Sequence, residues 1–247
     1  MTPEHQSGQP VRHNPPAFNV PGVVLVLLAA FFLVQIVRSV LSPWADALVL
    51  MNFSFLPGCY DSVSEVCGLR TAGSGLWSPL SYAFLHGGWT HLLVNTVWML
   101  AFGSPVARRL GVTRFLLICA AGAVAGAALF GLVNPTLVEP VVGASGIISA
   151  LMGAACRFAF HPGARVGGRI EVDGRRLSVL ESLADRTVLF FILVFFGINL
   201  VVGTGVGSMF GGGEGQVAWE AHLGGFAFGF LSFALFDRSE RYGRRQG

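Results

Sequence analysis

The chain contains no lysine, and only 12% of its 247 residues are charged. Soluble domains carry about 25% charged residues. A globule of this length with half that share has no wettable surface, and the 53% hydrophobic content excludes intrinsic disorder as well. A membrane protein remains. The missing lysine removes Schiff-base chemistry, a phosphate-loop lysine and a Ser–Lys catalytic pair. All 16 basic residues are therefore arginine. A zinc protease needs a pattern such as H-E-x-x-H, whereas His86 and His91 are five apart with no glutamate between them. No aspartate falls inside an apolar run, which excludes an intramembrane aspartyl pair. No internal repeat is visible, so a repeat-built transporter gains no support.

Long apolar runs are plentiful. A bilayer core of ~30 Å needs about 20 apolar residues per helix. Six runs qualify: about Val20 to Leu41, Gly88 to Ala107, Phe115 to Val133, Val141 to Phe160, Thr187 to Val206 and Val217 to Phe236. The first is too long for a signal-peptide core and lacks a cleavage site, so it is expected to be retained. Residues 1–19 are polar and Pro-rich and read as a flexible tail, and 238–247 form a second tail. Between them, 20–237 reads as one six-span all-α membrane domain, with an outer loop at 42–87 and a basic inner loop at 161–186. Within the inner loop, Ile170 to Gly174 is expected to form a small hairpin through Asp173-Gly174.

Arginine placement orients the spans. Fourteen arginines fall in the N-terminal tail, the 2–3 connection, the 4–5 region and the C-terminal tail. Opposite them stand only Arg70 and Arg38, the latter able to snorkel from the outer end of span 1. The positive-inside rule then puts both termini in the cytoplasm.

Polar residues within spans are expensive and usually functional. His91 and Asn95 lie four apart on span 2 and share a helix face. Ser145 lies near the start of span 4 and His222 near the start of span 6. These spans all begin on the outer side, so four polar groups share a layer ~5–12 Å deep. A serine needs a general base, and His222 is the sole histidine on spans 4 to 6. The small residues around Ser145 admit a substrate, and a helix start offers free N–H groups to an oxyanion. No carboxylate is placed to orient His222, since Asp46, Asp61, Asp173, Asp185 and Asp237 lie outside the spans. The chemistry is that of a Ser–His pair. Asn199 in span 5 and Gln35 in span 1 read as packing or cavity residues. Cys119 and Cys156 read as small apolar groups. Cys59 and Cys67 share the outer loop, as a disulfide on an oxidising side or otherwise as two free thiols.

Three motifs connect these residues. They are His86-Gly87-Gly88-Trp89-Thr90-His91-Leu92-Leu93-Val94-Asn95, then Gly143-Ala144-Ser145-Gly146, then Ala221-His222-Leu223-Gly224-Gly225 with Gly229 beyond. In this order the chain resembles the rhomboid intramembrane serine proteases over roughly residues 20–240. The resemblance implies Ser145 as nucleophile and His222 as base. It implies an oxyanion hole of His91, Asn95, the Ser145 backbone N–H and the Val142 backbone N–H. It implies structural roles for His86, Gly143, Gly146, Gly225 and Gly229. It implies membrane-protein substrates, single-span or multi-span, in a lipid bilayer, with no metal, cofactor or nucleic acid. Two positions depart from the pattern. The usual Trp-Arg pair of the outer loop reads Trp77-Ser78, so the loop needs another anchor. The aromatic usual four residues after the nucleophile is Ser149, so something else must fix the His222 ring. The expected location is a bacterial inner membrane, with the site opening to the outer, periplasmic side. Span 5 and the loop at 207–215 are candidate gate elements. A non-catalytic relative that binds client helices is the alternative, and the presence of both dyad residues separates the two.

Overall fold

Ten α-helices account for most of the described residues. The computed structural model describes residues 20–60, 65–160, 165–166, 169–170, 174–203 and 218–238. In chain order the helices are α1 (Gly22–Val40), α2 (Pro43–Phe53), α3 (Ser74–Ser81), α4 (Trp89–Trp98), α5 (Ser104–Leu110), α6 (Val112–Val133), α7 (Ser145–Ala155), α8 (Val179–Ala184), α9 (Arg186–Gly203) and α10 (Trp219–Phe236). A π-helical segment, Met99–Gly103, joins α4 to α5 and makes one long helical run. α1 and α6 are long and apolar enough to cross a bilayer; α7 and the Arg186–Val201 part of α9 are shorter apolar helices. The gate loop proposed at 207–215 and the tail at 1–19 lie outside the described residues.

Local sequence explains the ends. Ser42 caps α2 by accepting from Ala45 N–H, with Pro43 at the first helical position. Ser178 and Glu181 form a reciprocal capping box on α8. Asp185 accepts from the N–H groups of Thr187 and Val188 and starts α9. One expectation needs correction. The fourth apolar run is helical only from Ser145, because Val141 and Gly143 are held by the outer loop and Ala144 turns into the helix. Phe55 and Val141 exchange backbone hydrogen bonds, and Gly143 N–H donates to Tyr82. The hairpin expected over Ile170 to Gly174 turns on residues 171–173, which lie outside the described residues. Within the same loop, strands β1 (Arg165–Val166) and β2 (Arg169–Ile170) pair Arg165 with Ile170 and Val166 with Arg169.

α7 is the centre of the bundle. Every residue from Gly146 to Ala155 is buried. By contrast α1 and α9 present Val26, Leu33, Val40, Phe190, Leu193 and Ile198 outward. An exposed apolar surface of that extent suits lipid rather than water. The contact between α7 and α10 is backbone against backbone. A Cβ at Gly225 would overlap the Gly146 carbonyl, and one at Gly229 would overlap the Ala150 carbonyl. The same four-residue step on both helices makes them parallel and fixes their register. On its other side, Gly122 of α6 packs on Ala150 and Gly126 packs on the Ala221 carbonyl, so this small-residue pair serves packing within the chain.

The end of the bundle where α7 finishes is tied by arginine. Arg109 of α5 donates to Asp237 at the end of α10 (2.8 Å) and to the Gly174 carbonyl (2.8 Å). Both side chains of the pair are 0% exposed. The Arg109 guanidinium also lies 4.7 Å from the Phe158 ring centroid. Arg157, just beyond α7, donates to the carbonyls of Leu177 and Phe230. Two arginines assigned to the basic side are thus buried structural groups.

The opposite end carries the outer loop, and here the Trp77-Ser78 departure is resolved. Arg38 of α1 does not snorkel. Its guanidinium grips Asp46 of α2 with two nitrogens (2.7 and 3.0 Å) and donates to the His86 carbonyl with a third (2.7 Å). Trp77 donates to the Asn52 carbonyl, and buried Ser78 lies 3.3 Å from the Tyr60 hydroxyl. Cys59 and Cys67 form a disulfide, while Cys119 and Cys156 are buried free thiols. The His86 ring is packed against Phe31 and His91, 1% exposed. Burial first, and then the nearby His91 and Arg38, push its imidazole down to about 4.

Two expected outcomes follow from these anchors. Removing one partner from a buried ion pair strands the other charge and costs ~3–5 kcal/mol. Asp237→Ala should therefore lower the thermal midpoint in detergent sharply, and an unchanged midpoint would contradict the network. For His86, the unfolded chain binds a proton near pH ~6.5, the folded chain only near 4. Between those values the unfolded state holds more protons, so stability falls as pH drops through that window, by on the order of 2–3 kcal/mol. The difference between wild type and His86→Gln in midpoint against pH isolates this contribution. Parallel curves would refute it.

Candidate active site

Ser145 is the first residue of α7, with Ala144 as its N-cap. The first N–H groups of a helix have no partner within it, so the Ser145 N–H faces outward beside its own hydroxyl. The depth expected from helical rise is therefore not how Ser145 is placed. It is carried to its level by the extended segment pinned to Phe55 and Tyr82. Tyr82 is itself buried and donates to the Ala123 carbonyl of α6 (3.0 Å), which ties the outer loop to the bundle beneath the site. Nothing in the sequence patterns singled out Tyr82.

Gly143 carries the close approach. Its φ is +126°, in the region that favours glycine. A Cβ there would lie 2.8 Å from Nε2 of His91 and 3.6 Å from Oγ of Ser145. The His91 ring and the Ser145 hydroxyl thus flank one bare Cα. His91 is the third residue of α4, and its Nδ1 accepts from the Gly87 N–H (3.3 Å). A neutral imidazole has one acceptor and one donor. Nδ1 is the acceptor here, so Nε2 carries the proton and presents it towards Gly143 and Ser145. Asn95 follows one turn later on α4. It is 4% exposed, and its Nδ2 has no hydrogen-bond partner among the described residues. A buried amide donor left unpaired is costly. Val142 is half-buried between Val141 and Gly143, which are both held by the outer loop.

His222 is the fourth residue of α10 and half-buried. The register that sets Gly225 on Gly146 and Gly229 on Ala150 brings His222, one turn earlier, level with Gly143. The His222 Nδ1 lies 2.6 Å from Oδ1 of Asn199 on α9. Asn199, expected as a packing or cavity residue, is thus in direct contact with His222. Nothing in the periodicity of α9 could have shown that, because the contact depends on how α9 and α10 cross. One carboxylate was also overlooked: Glu220 lies in the first turn of α10, two residues from His222. It is buried and accepts from Asn134 at the end of α6 (3.1 Å), so it is turned away from the imidazole. Ser149 is buried on α7 and offers no ring to His222. Among the described residues there is no group of three or more His, Cys, Asp or Glu fit to hold a metal.

The layer therefore holds a hydroxyl, an imidazole on a separate helix, and two side-chain donors beside a helix start. The chain is similar to known proteins. Rhomboid-related protein 3 of Homo sapiens is 40% identical over 79 residues, 32% of this chain and 19% of that protein. The Bacillus subtilis protein YdcA is 29% identical over 178 residues, 70% of this chain and 74% of YdcA. Rhomboid protease GlpG of Yersinia pestis is 28% identical over 165 residues, covering 66% of this chain and 48% of that protein. The Rhomboid domain matches residues 73–238, a span that holds α3 to α10 and all the residues of this layer. The chain belongs to the rhomboid family of integral membrane proteins.

Proposed function

We propose that the protein is an intramembrane serine endopeptidase that cuts peptide bonds within or beside transmembrane segments of other membrane proteins. The observation that supports the reading is that Ser145 starts α7 and His222 lies in the first turn of α10, two helices packed backbone to backbone, with the His91 ring and the Ser145 hydroxyl flanking Gly143 and with Asn95 Nδ2 unpartnered among the described residues. The domain is taken as residues 20–237 crossing the bilayer six times, with both termini cytoplasmic and the site open to the periplasmic side of a bacterial inner membrane. The arginine layout supports that orientation.

In this reading the Ser145 Oγ attacks the scissile carbonyl while His222 Nε2 takes its proton. The carbonyl oxygen becomes an anion. It is received by His91 Nε2–H, Asn95 Nδ2–H and the backbone N–H groups of Ser145 and Val142, aided by the positive end of α7. His222 returns the proton to the leaving amine, and an acyl-enzyme remains on Ser145. Water then attacks the ester, again with His222 as base, and frees the second product. A substrate helix must unwind first, because its own hydrogen bonds shield its carbonyls; helix-breaking residues near the cut ease this.

The test uses detergent-purified full-length chain with a tagged single-span substrate. Ser145→Ala and His222→Ala should each abolish cleavage, and persistent cleavage by Ser145→Ala would refute the assignment. Loss of one oxyanion donor costs ~10²–10³ in rate in a well-studied protease. Asn95→Ala should accordingly slow cleavage by ~10–10³-fold, and an unchanged rate would leave Asn95 a structural residue. A chain that binds substrate yet never cuts it, in any lipid, would favour the non-catalytic alternative.

A further inference from the structure

We infer that Asn199 is the positioning residue for His222: its side-chain carbonyl holds the imidazole with the proton on Nδ1, leaving Nε2 as the acceptor that faces Ser145. The inference rests on the Ser145–His222 reading above and adds a third member, contributed by a different helix.

Three observations support it. First, the contact is direct, 2.6 Å between Asn199 Oδ1 and His222 Nδ1. Second, the orientation of the amide is fixed from its other side. Asn199 Nδ2 donates to the Phe195 carbonyl one turn back on α9 (2.7 Å). Turning the amide over would set two carbonyl oxygens against each other. Oδ1 is thus the atom presented to His222, and an oxygen can only accept. The neutral imidazole must then carry its proton on Nδ1, and the lone pair of Nε2 is free to take the serine proton. The other tautomer would leave no base. Third, the placement is built into the helix crossing. Phe195 of α9 stacks on Phe226 of α10 with centroids 4.7 Å apart and planes 24° apart. One turn along α9 from Phe195 is Asn199, and one turn back along α10 from Phe226 is His222. The aromatic stack therefore sets the antiparallel register that brings amide and imidazole together.

Among the described residues, no other group on the neighbouring elements does this work. Glu220, on the same helix as His222, is held by Asn134. His91 of α4, whose ring flanks Gly143, is a further titratable group of the layer, and its Nδ1 is taken by Gly87. An amide in the apolar sequence of α9 is also costly in a membrane unless it is paired.

The experiment compares wild type with Asn199→Ala, Asn199→Leu and Asn199→Asp as full-length chains in detergent, with thermal midpoints recorded for each. Ala and Leu should lower kcat by ~10–10²-fold with KM unchanged, Leu as much as Ala although it refills the space. Asp keeps the acceptor and should recover most of the activity. Its carboxylate favours the imidazolium, so the acidic limb of its pH–rate profile should move to higher pH. In the inactive Ser145→Ala background, ¹⁵N chemical shifts of His222 should show the proton on Nδ1, and Asn199→Leu should scramble it. Wild-type kcat and pH profile in Asn199→Ala, or a proton on Nε2 of His222, would overturn the inference while leaving the dyad intact. Cleavage by Ser145→Ala would instead remove the reading beneath it.

Discussion

The site depends on two helices that touch through their backbones. Gly146 against Gly225 and Ala150 against Gly229 bring α7 and α10 closer than side chains would allow. Lipid tails are as apolar as any core, so burial alone does not draw helices together in a bilayer; close packing does. The contact has a chemical result. It sets the first turn of α10, with His222, alongside the start of α7, where the segment held by the outer loop places Ser145. A rotation of α10 by one residue would carry His222 about 100° round its axis and away from Ser145. The small residues thus set the chemistry as well as the fold.

A second constraint holds the ends of this bundle, and it explains the use of arginine. Arg38 engages Asp46 and the His86 carbonyl at one end. Arg109 engages Asp237, the Gly174 carbonyl and the Phe158 face at the other. Arg157 engages two carbonyls from two different segments. Each side chain spends several donors in different directions at once. The planar guanidinium does this with a rigid fork, whereas an ammonium is a single compact charge with a stronger hold on water. These three positions therefore have a structural reason to be arginine beyond the sign of their charge.

Much of this was legible in the sequence, and the limits have physical causes. Apolar runs mark where helices lie, because a bilayer demands them, and five of the six expected runs closely match α1, the α4–α5 run, α6, α9 and α10. The fourth was misjudged in length because Val141 and Val142 are as apolar as any helix residue. Only their hydrogen bonds to the outer loop reveal the extended segment. The motif residues were visible because their chemistry is rare in a membrane. Asn199 was equally visible as a polar residue, yet its partner depends on the crossing of α9 over α10, which no single-helix pattern encodes. Arg38 was read from its position at a helix end, where snorkelling is the common outcome; its true partners come from α2 and the outer loop. Glu220 belongs to no motif, and its partner Asn134 comes from the end of a different helix.

The central claim is that Ser145 is a nucleophile made reactive by His222 across the α7–α10 contact. The most direct measurement is mass spectrometry of the full-length chain after reaction with a fluorophosphonate, which traps an activated serine covalently. The account predicts a single adduct on Ser145, lost in His222→Ala. An adduct on any other serine, or labelling of Ser145 at an equal rate without His222, would contradict it.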